Sequence, residues 1–127
     1  MLKEIRTPEA PAPVGPYSQA IDTGPFVFCS GQIPLDAKTG ELIGKTPAEQ
    51  TEKIMDNIEA VLKAAGLSFK SIVKSTIFLT NIQAFGEVNT VYEKRLGGVK
   101  PARSTVQVSA LPKGAQVEIE CIAARVL

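Results

Sequence analysis

Thr46-Pro47-Ala48-Glu49-Gln50-Thr51-Glu52-Lys53-Ile54-Met55-Asp56-Asn57-Ile58-Glu59-Ala60-Val61-Leu62-Lys63-Ala64-Ala65-Gly66 is the stretch on which the fold reading turns. Thr46 at the N-cap, Pro47 at the first helical position and Glu49 at the third make a capping box with a preset first turn. Ile54, Ile58, Val61, Leu62 and Ala65 mark one face, and Gly66 supplies a left-handed stop. The pattern predicts an amphipathic helix over 47–65. The β-branched run Ile72–Leu79 follows as a mostly buried strand.

Working outward, a second helix is expected over about 82–95, with Phe85, Val88 and Tyr92 on one face and Gly97-Gly98 as its end. Strands are expected at 2–6, 19–22, 26–30, 102–108 and 117–126. Thr23-Gly24-Pro25, residues 36–40 and Pro112-Lys113-Gly114 read as turns. Grouped strands followed by alternating strand and helix imply an α+β fold: a single mixed β-sheet of six or seven strands with two helices on one face. Two helices leave the other face bare, so an oligomer packed sheet to sheet is expected.

The chain has 127 residues, 44% of them hydrophobic and 21% charged, which fits one globular domain spanning 1–127. Fourteen Lys and Arg against thirteen Asp and Glu, a formal net charge of +1, give no long-range field for nucleic acid or an anionic membrane. No apolar stretch approaches the ~20 residues of a membrane span, and the charged start Met1-Leu2-Lys3-Glu4-Ile5-Arg6 lacks a secretory apolar core. A cytoplasmic location is the expectation. The absence of His removes Ser-His-Asp triads, Cys-His pairs and imidazole metal ligands. The acidic residues show no metal-ligand spacing, and there is no phosphate loop or dinucleotide fingerprint. Cys29 and Cys121 sit in apolar, strand-like runs and read as buried thiols; the less favoured alternative is a redox pair.

Residues 7–16 hold four of the nine prolines, Pro8, Pro11, Pro13 and Pro16, and form a stiff extended segment. Either it is a plain connector, or its stiffness fixes Gly15-Pro16-Tyr17-Ser18 at a site wall. Alternation places Arg103, Thr105 and Gln107 on one face of their strand and pairs Glu118 with Glu120 on one face of theirs. The cation and the carboxylates are then candidates for a common face, although the intervening loop leaves register open.

Arg103 is either a sheet ion-pair partner of one glutamate or a carboxylate receptor, since a guanidinium fork matches a carboxylate bidentately. Glu118 and Glu120 are either a solvated edge or a group that orients or deprotonates a water. Thr105 is a strand former or a polarising hydroxyl. Tyr17 is a core-edge residue or a phenol donor. Gly31 is a turn, or a place where a ligand approaches the backbone closely. Asn89, mildly unfavourable within a helix, is exposed or has a specific partner.

Pro101-Ala102-Arg103-Ser104-Thr105-Val106, then Leu111 and Val117-Glu118-Ile119, resembles the C-terminal motif of the RidA (YjgF) family. Gly15-Pro16-Tyr17-Ser18-Gln19-Ala20, Ser30-Gly31-Gln32-Ile33-Pro34 and Val88-Asn89 with Tyr92 match the family elsewhere, so the resemblance spans essentially the whole chain. It implies a chorismate-mutase-like α+β fold and a homotrimer with a site in each cleft between subunits. It also implies hydrolysis of 2-aminoacrylate-type enamines and 2-imino acids to 2-oxo acids and ammonia, without cofactor or metal. By that resemblance Arg103 holds the substrate carboxylate and Glu118 positions the attacking water. Tyr17 and the backbone around Gly31 and Thr105 line the pocket, with Ser30 and Asn89 in support. Some members carry Cys where this chain has Thr105, so a thiol role there does not transfer. Two rivals are a module of the same fold that binds a small carboxylate without turnover, and a ribonuclease or translation inhibitor. The neutral charge balance counts against the second.

Overall fold

The structure is a computed structural model that describes residues 2–125. Six strands form one sheet: β1 Lys3–Ile5, β2 Ala20–Asp22, β3 Phe26–Gln32, β4 Ile72–Leu79, β5 Ala102–Gln107 and β6 Val117–Ala124. Their order is β1-β2-β3-β6-β4-β5, antiparallel except for the β4–β5 pair. Helices α1 Pro47–Ala64 and α2 Phe85–Leu96 both cover the same face, and the single mixed sheet with two helices is the expected α+β architecture.

The helix begins where its capping box predicts. Thr46 Oγ1 accepts from Glu49 N–H at 3.1 Å, and Glu49 Oε1 accepts in return from Thr46 N–H at 3.1 Å. A cap of this kind is worth about 0.5–2 kcal/mol. Ile54, Met55, Ile58, Val61 and Leu62 of α1 pack against Val27, Ile77, Val117 and Ile119, all buried. Helix α2 is shorter at its start than the sequence suggests. Residues Ile82–Ala84 form a 3-10 turn, in which the Asn81 side chain accepts from Gln83 N–H at 3.0 Å. Gly97, with φ of +62°, closes the helix in the left-handed region. Arg95 ties α2 to α1, donating to Glu52 at 3.0 Å and Asp56 at 2.8 Å.

Helix α2 is the crossover between the parallel strands β4 and β5, so its inner face necessarily lies over β5. The expected last strand ran to Val126; β6 ends at Ala124, and Val126 lies outside the described residues. The face away from the helices carries Phe26, Phe28 and Val106, each more than two-fifths exposed. No helix of the described residues is long and apolar enough to cross a membrane, and no His, Cys, Asp and Glu group among them is arranged to hold a metal ion.

Candidate active site

Strand register decides which candidate residues can meet. Arg103 and Thr105 are the neighbours of Ser75 and Ile77 on β4, and Ser75 and Ile77 are the neighbours of Cys121 and Ile119 on β6. All six therefore point to the helix side. Glu118 and Glu120 are register partners of Phe78 and Thr76 and point to the open side. The common face that the sequence left open for Arg103 and the glutamates does not form within one chain. Within one chain they lie on opposite faces of the sheet, and an Arg103–glutamate ion pair is absent.

On the helix side, Arg103 lies between two rings. Its guanidinium carbon is 5.4 Å from the Phe85 ring centre and 5.3 Å from that of Tyr92, within cation–π range. Its Nη1 donates to Asn89 Oδ1 at 2.6 Å, which gives the mid-helix asparagine its specific partner. Tyr92 is itself fixed, its hydroxyl donating to Ser75 Oγ at 2.8 Å. Burial pushes the Tyr92 phenol up, against the opposing pull of Ser75 and Arg103, so it stays neutral. No carboxylate of the described residues pairs with Arg103. The guanidinium is held in place with hydrogen-bonding capacity unspent, beside a recess of about 330 Å³ lined by Asn89, Tyr92 and Lys100. Thr105 lies two residues along the same face, outside that recess. Its Oγ1 is buried and has no hydrogen-bond partner.

On the open side, Tyr17, Ser30, Gly31 and Glu118 line a cavity of about 460 Å³. Strands β3 and β6 lose register between Cys29 and Gln32, and this irregularity places Ser30 and Gly31 at the cavity. A Cβ on Gly31 would lie only 2.9 Å from Glu118 Cδ and closer still to Oε2, so only glycine lets the carboxylate rest against the β3 backbone. Burial raises the Glu118 carboxyl above the ordinary glutamate range, and the like charge of Glu120 raises it further. Glu120 itself is exposed.

The proline segment forms the outer wall of this cavity, and sequence reasoning missed what fastens it. Gln19, only 3% exposed, spans the segment with its amide. Its Nε2 donates to the carbonyls of Thr7 at 3.0 Å, Ala10 at 3.3 Å and Pro11 at 2.9 Å, and its Oε1 accepts from Thr7 N–H at 2.7 Å. Next to it, Ser30 Oγ donates to Ser18 O at 2.6 Å and Ser30 N–H to Gln19 O at 3.0 Å. These bonds link the segment carrying Tyr17 to the irregular part of β3. A polar residue just ahead of a strand and after a proline run was the available signal. Phe85 and Tyr92 were also missed as functional, because their helical spacing reads as core.

The two arrangements differ in what they offer. One presents a cation prepared for an anion; the other presents a carboxyl of raised proton affinity in a cavity. In a single chain neither completes the other.

Comparison with known proteins finds that residues 7–125 match the family described as Endoribonuclease L-PSP. Protein DfrA of Myxococcus xanthus is 50% identical over 123 residues, covering 95% of this chain and 94% of that one. The 2-iminobutanoate/2-iminopropanoate deaminase of Mus musculus is 43% identical over 121 residues, covering 95% and 90%. Among solved structures, E. coli TdcF with bound serine superposes with a TM-score of 0.93 at 42% identity, covering 98% of this chain and 99% of that one. With fold, motif order and near-complete coverage in agreement, the chain belongs to the endoribonuclease L-PSP family, the RidA (YjgF) family that its motifs resemble.

Proposed function

We propose that the protein hydrolyses 2-imino acids and their enamine tautomers to 2-oxo acids and ammonia, at sites shared between adjacent copies of a cytoplasmic homotrimer. The observation that carries this reading is the placement of an unpaired, aromatically clamped Arg103 on the opposite sheet face from the Glu118 cavity. Contact that sets the open face of one copy against the β5 edge and α2 of the next is the economical way to unite the halves, and the name of the mouse relative supplies the reaction class.

Arg103 of one copy grips the substrate carboxylate with its fork, and charge-assisted bonds of this kind contribute about 1.5–3 kcal/mol each. With the imine in its protonated, iminium form, Glu118 of the neighbouring copy takes a proton from water as the oxygen adds to the C=N carbon, giving a neutral carbinolamine. The same carboxyl then returns that proton to nitrogen, the C–N bond breaks, and the hydroxyl proton passes to the Glu118 carboxylate as the C=O of the 2-oxo acid forms and ammonia leaves. One water is consumed for each ammonia released. Tyr17 donates to the developing charge, and Gly31 keeps the carboxylate seated. The uncatalysed reaction is already feasible in water, and each tenfold acceleration needs only about 1.4 kcal/mol of transition-state stabilisation. Positioning plus one acid–base group suffices.

The decisive experiment mixes two inactive variants. Arg103→Ala and Glu118→Gln chains are each expected to be nearly inert toward 2-iminopropionate generated in situ by an amino-acid oxidase. Unfolded and reassembled together in equal amounts, they should recover about a quarter of the wild-type rate, because that share of junctions joins an intact Arg103 to an intact Glu118. No recovery, with mixed trimers shown to form, defeats the shared site. A wild-type protein that binds serine or 2-oxobutyrate without accelerating imine hydrolysis supports the second reading, a binding module, for which the serine in TdcF is the precedent.

A further inference from the structure

We propose that Lys113 is a distal anion anchor that favours 2-imino acids whose side chain ends in a second carboxylate. The proposal rests on the deaminase reading and names the substrate class of that same site. Size is the first consideration. The Glu118 cavity is about 460 Å³. A 2-imino acid with a methyl side chain fills only a few water volumes, at about 30 Å³ each. Within one chain, space therefore extends past the reacting carbon, along a wall made by Pro112 and Lys113.

Charge is the second. Among the described residues, Lys113 is the only cationic side chain lining this cavity. It forms no ion pair among the described residues. Its Nζ makes a single bond, to Gly40 O at 3.2 Å. The other lining residues include Val14, Ile33 and Leu35, which offer a carboxylate nothing. An ammonium is a compact charge with three rotatable donors, suited to one carboxylate at the end of a flexible chain.

Backbone conformation is the third. Lys113, at φ 58° and ψ 22°, is the only non-glycine residue of the described chain with positive φ. That region disfavours a lysine, whose side chain offers none of the local bonding available to Asn or Asp. A strained residue at a cavity wall invites a functional reason. Lys113 and Glu118 belong to different segments of the cavity wall, the Pro112–Gly114 turn and β6, so the two ends of a dicarboxylic substrate meet different groups.

The test uses the full chain in its native assembly, with 2-iminopropionate and 2-iminosuccinate generated in situ from alanine and aspartate. Lys113→Ala is expected to lower the dicarboxylate-to-monocarboxylate ratio of kcat/KM about tenfold, mainly through KM, and Lys113→Arg to retain most of it. Lys113→Gly removes the charge while relieving the left-handed strain, and should show the same loss as Ala. A ratio preserved in the Gly variant assigns the effect to the backbone and overturns the proposal, as does a ratio unmoved in the Ala variant. Calorimetric binding of the product 2-oxo acids, pyruvate and oxaloacetate, is read in parallel and does not depend on turnover. If neither imine is accelerated but Lys113→Ala weakens oxaloacetate about tenfold more than pyruvate, the anchor stands and the deaminase reading falls. Equal weakening of both overturns the anchor.

Discussion

Arg103 is set by regular structure. It sits at the second position of β5, under a helix that closes over it, with two rings and one amide fixing its side chain. Glu118 sits on an equally regular strand, but its surroundings are irregular: a register slip in β3, a glycine that yields space, and a proline segment fastened by one glutamine. The first half is preorganised for binding. The second supplies an uneven cavity in which proton affinity is tuned by burial. On the proposed function, recognition of a constant group, the carboxylate, falls to the rigid part, and chemistry on a variable substrate to the adaptable part.

The largest effect expected from breaking this division is at Glu118. Glu118→Gln should leave substrate binding nearly intact while kcat falls by about 10²–10⁴, measured by steady-state imine hydrolysis. The pH profile sharpens the same point. Activity that needs the Glu118 carboxylate is present at high pH and lost as pH falls through its raised pKa, so the acid limb lies above the ordinary glutamate value. Glu120→Gln removes one of the two causes and should move that limb to lower pH.

Next in size is Arg103→Ala, with kcat/KM lower by about 10³, the worth of two charge-assisted bonds. Lysine there should recover little, because an ammonium lacks the fork. Phe85→Ala is expected to cost about fivefold, mostly in KM, by removing one cation–π contact and loosening the guanidinium. An equal fall in kcat at unchanged KM would contradict its positioning role.

The smallest effect is at Thr105. Thr105→Val deletes a buried hydroxyl that has no partner, and should raise stability by about 1 kcal/mol in thermal or urea unfolding. If kcat/KM drops at the same time, the hydroxyl meets substrate in the assembled site. If activity is untouched, Thr105 belongs to the strand alone.

What could be read in advance follows from the range of the interactions. The start of α1 is written in consecutive residues, and Thr46, Pro47 and Glu49 do what their spacing demands. Both helices, every strand and the tight turns were legible for the same reason, with most ends off by a residue or two and the start of α2 by three. Strand order was not, because β6 inserts between β3 and β4 through contacts far apart in sequence. That pairing sets the relative facing of Arg103 and Glu118. Alternation gave each strand its own parity but not the phase between strands, which β4 alone supplies. Motif resemblance named the individual residues without showing that one chain holds them apart.

Hydrolysis of the Gln19 amide would have a structural consequence. Its nitrogen faces three backbone carbonyls, so hydrolytic deamidation in an ageing or heated sample would replace a shared donor with a carboxylate oxygen confronting Thr7, Ala10 and Pro11. Repulsion there should spring the strap outward and carry Tyr17 with it. Mass spectrometry of stored protein, following the mass increment at position 19 against residual turnover, would show whether chemical wear at one concealed side chain limits its working life.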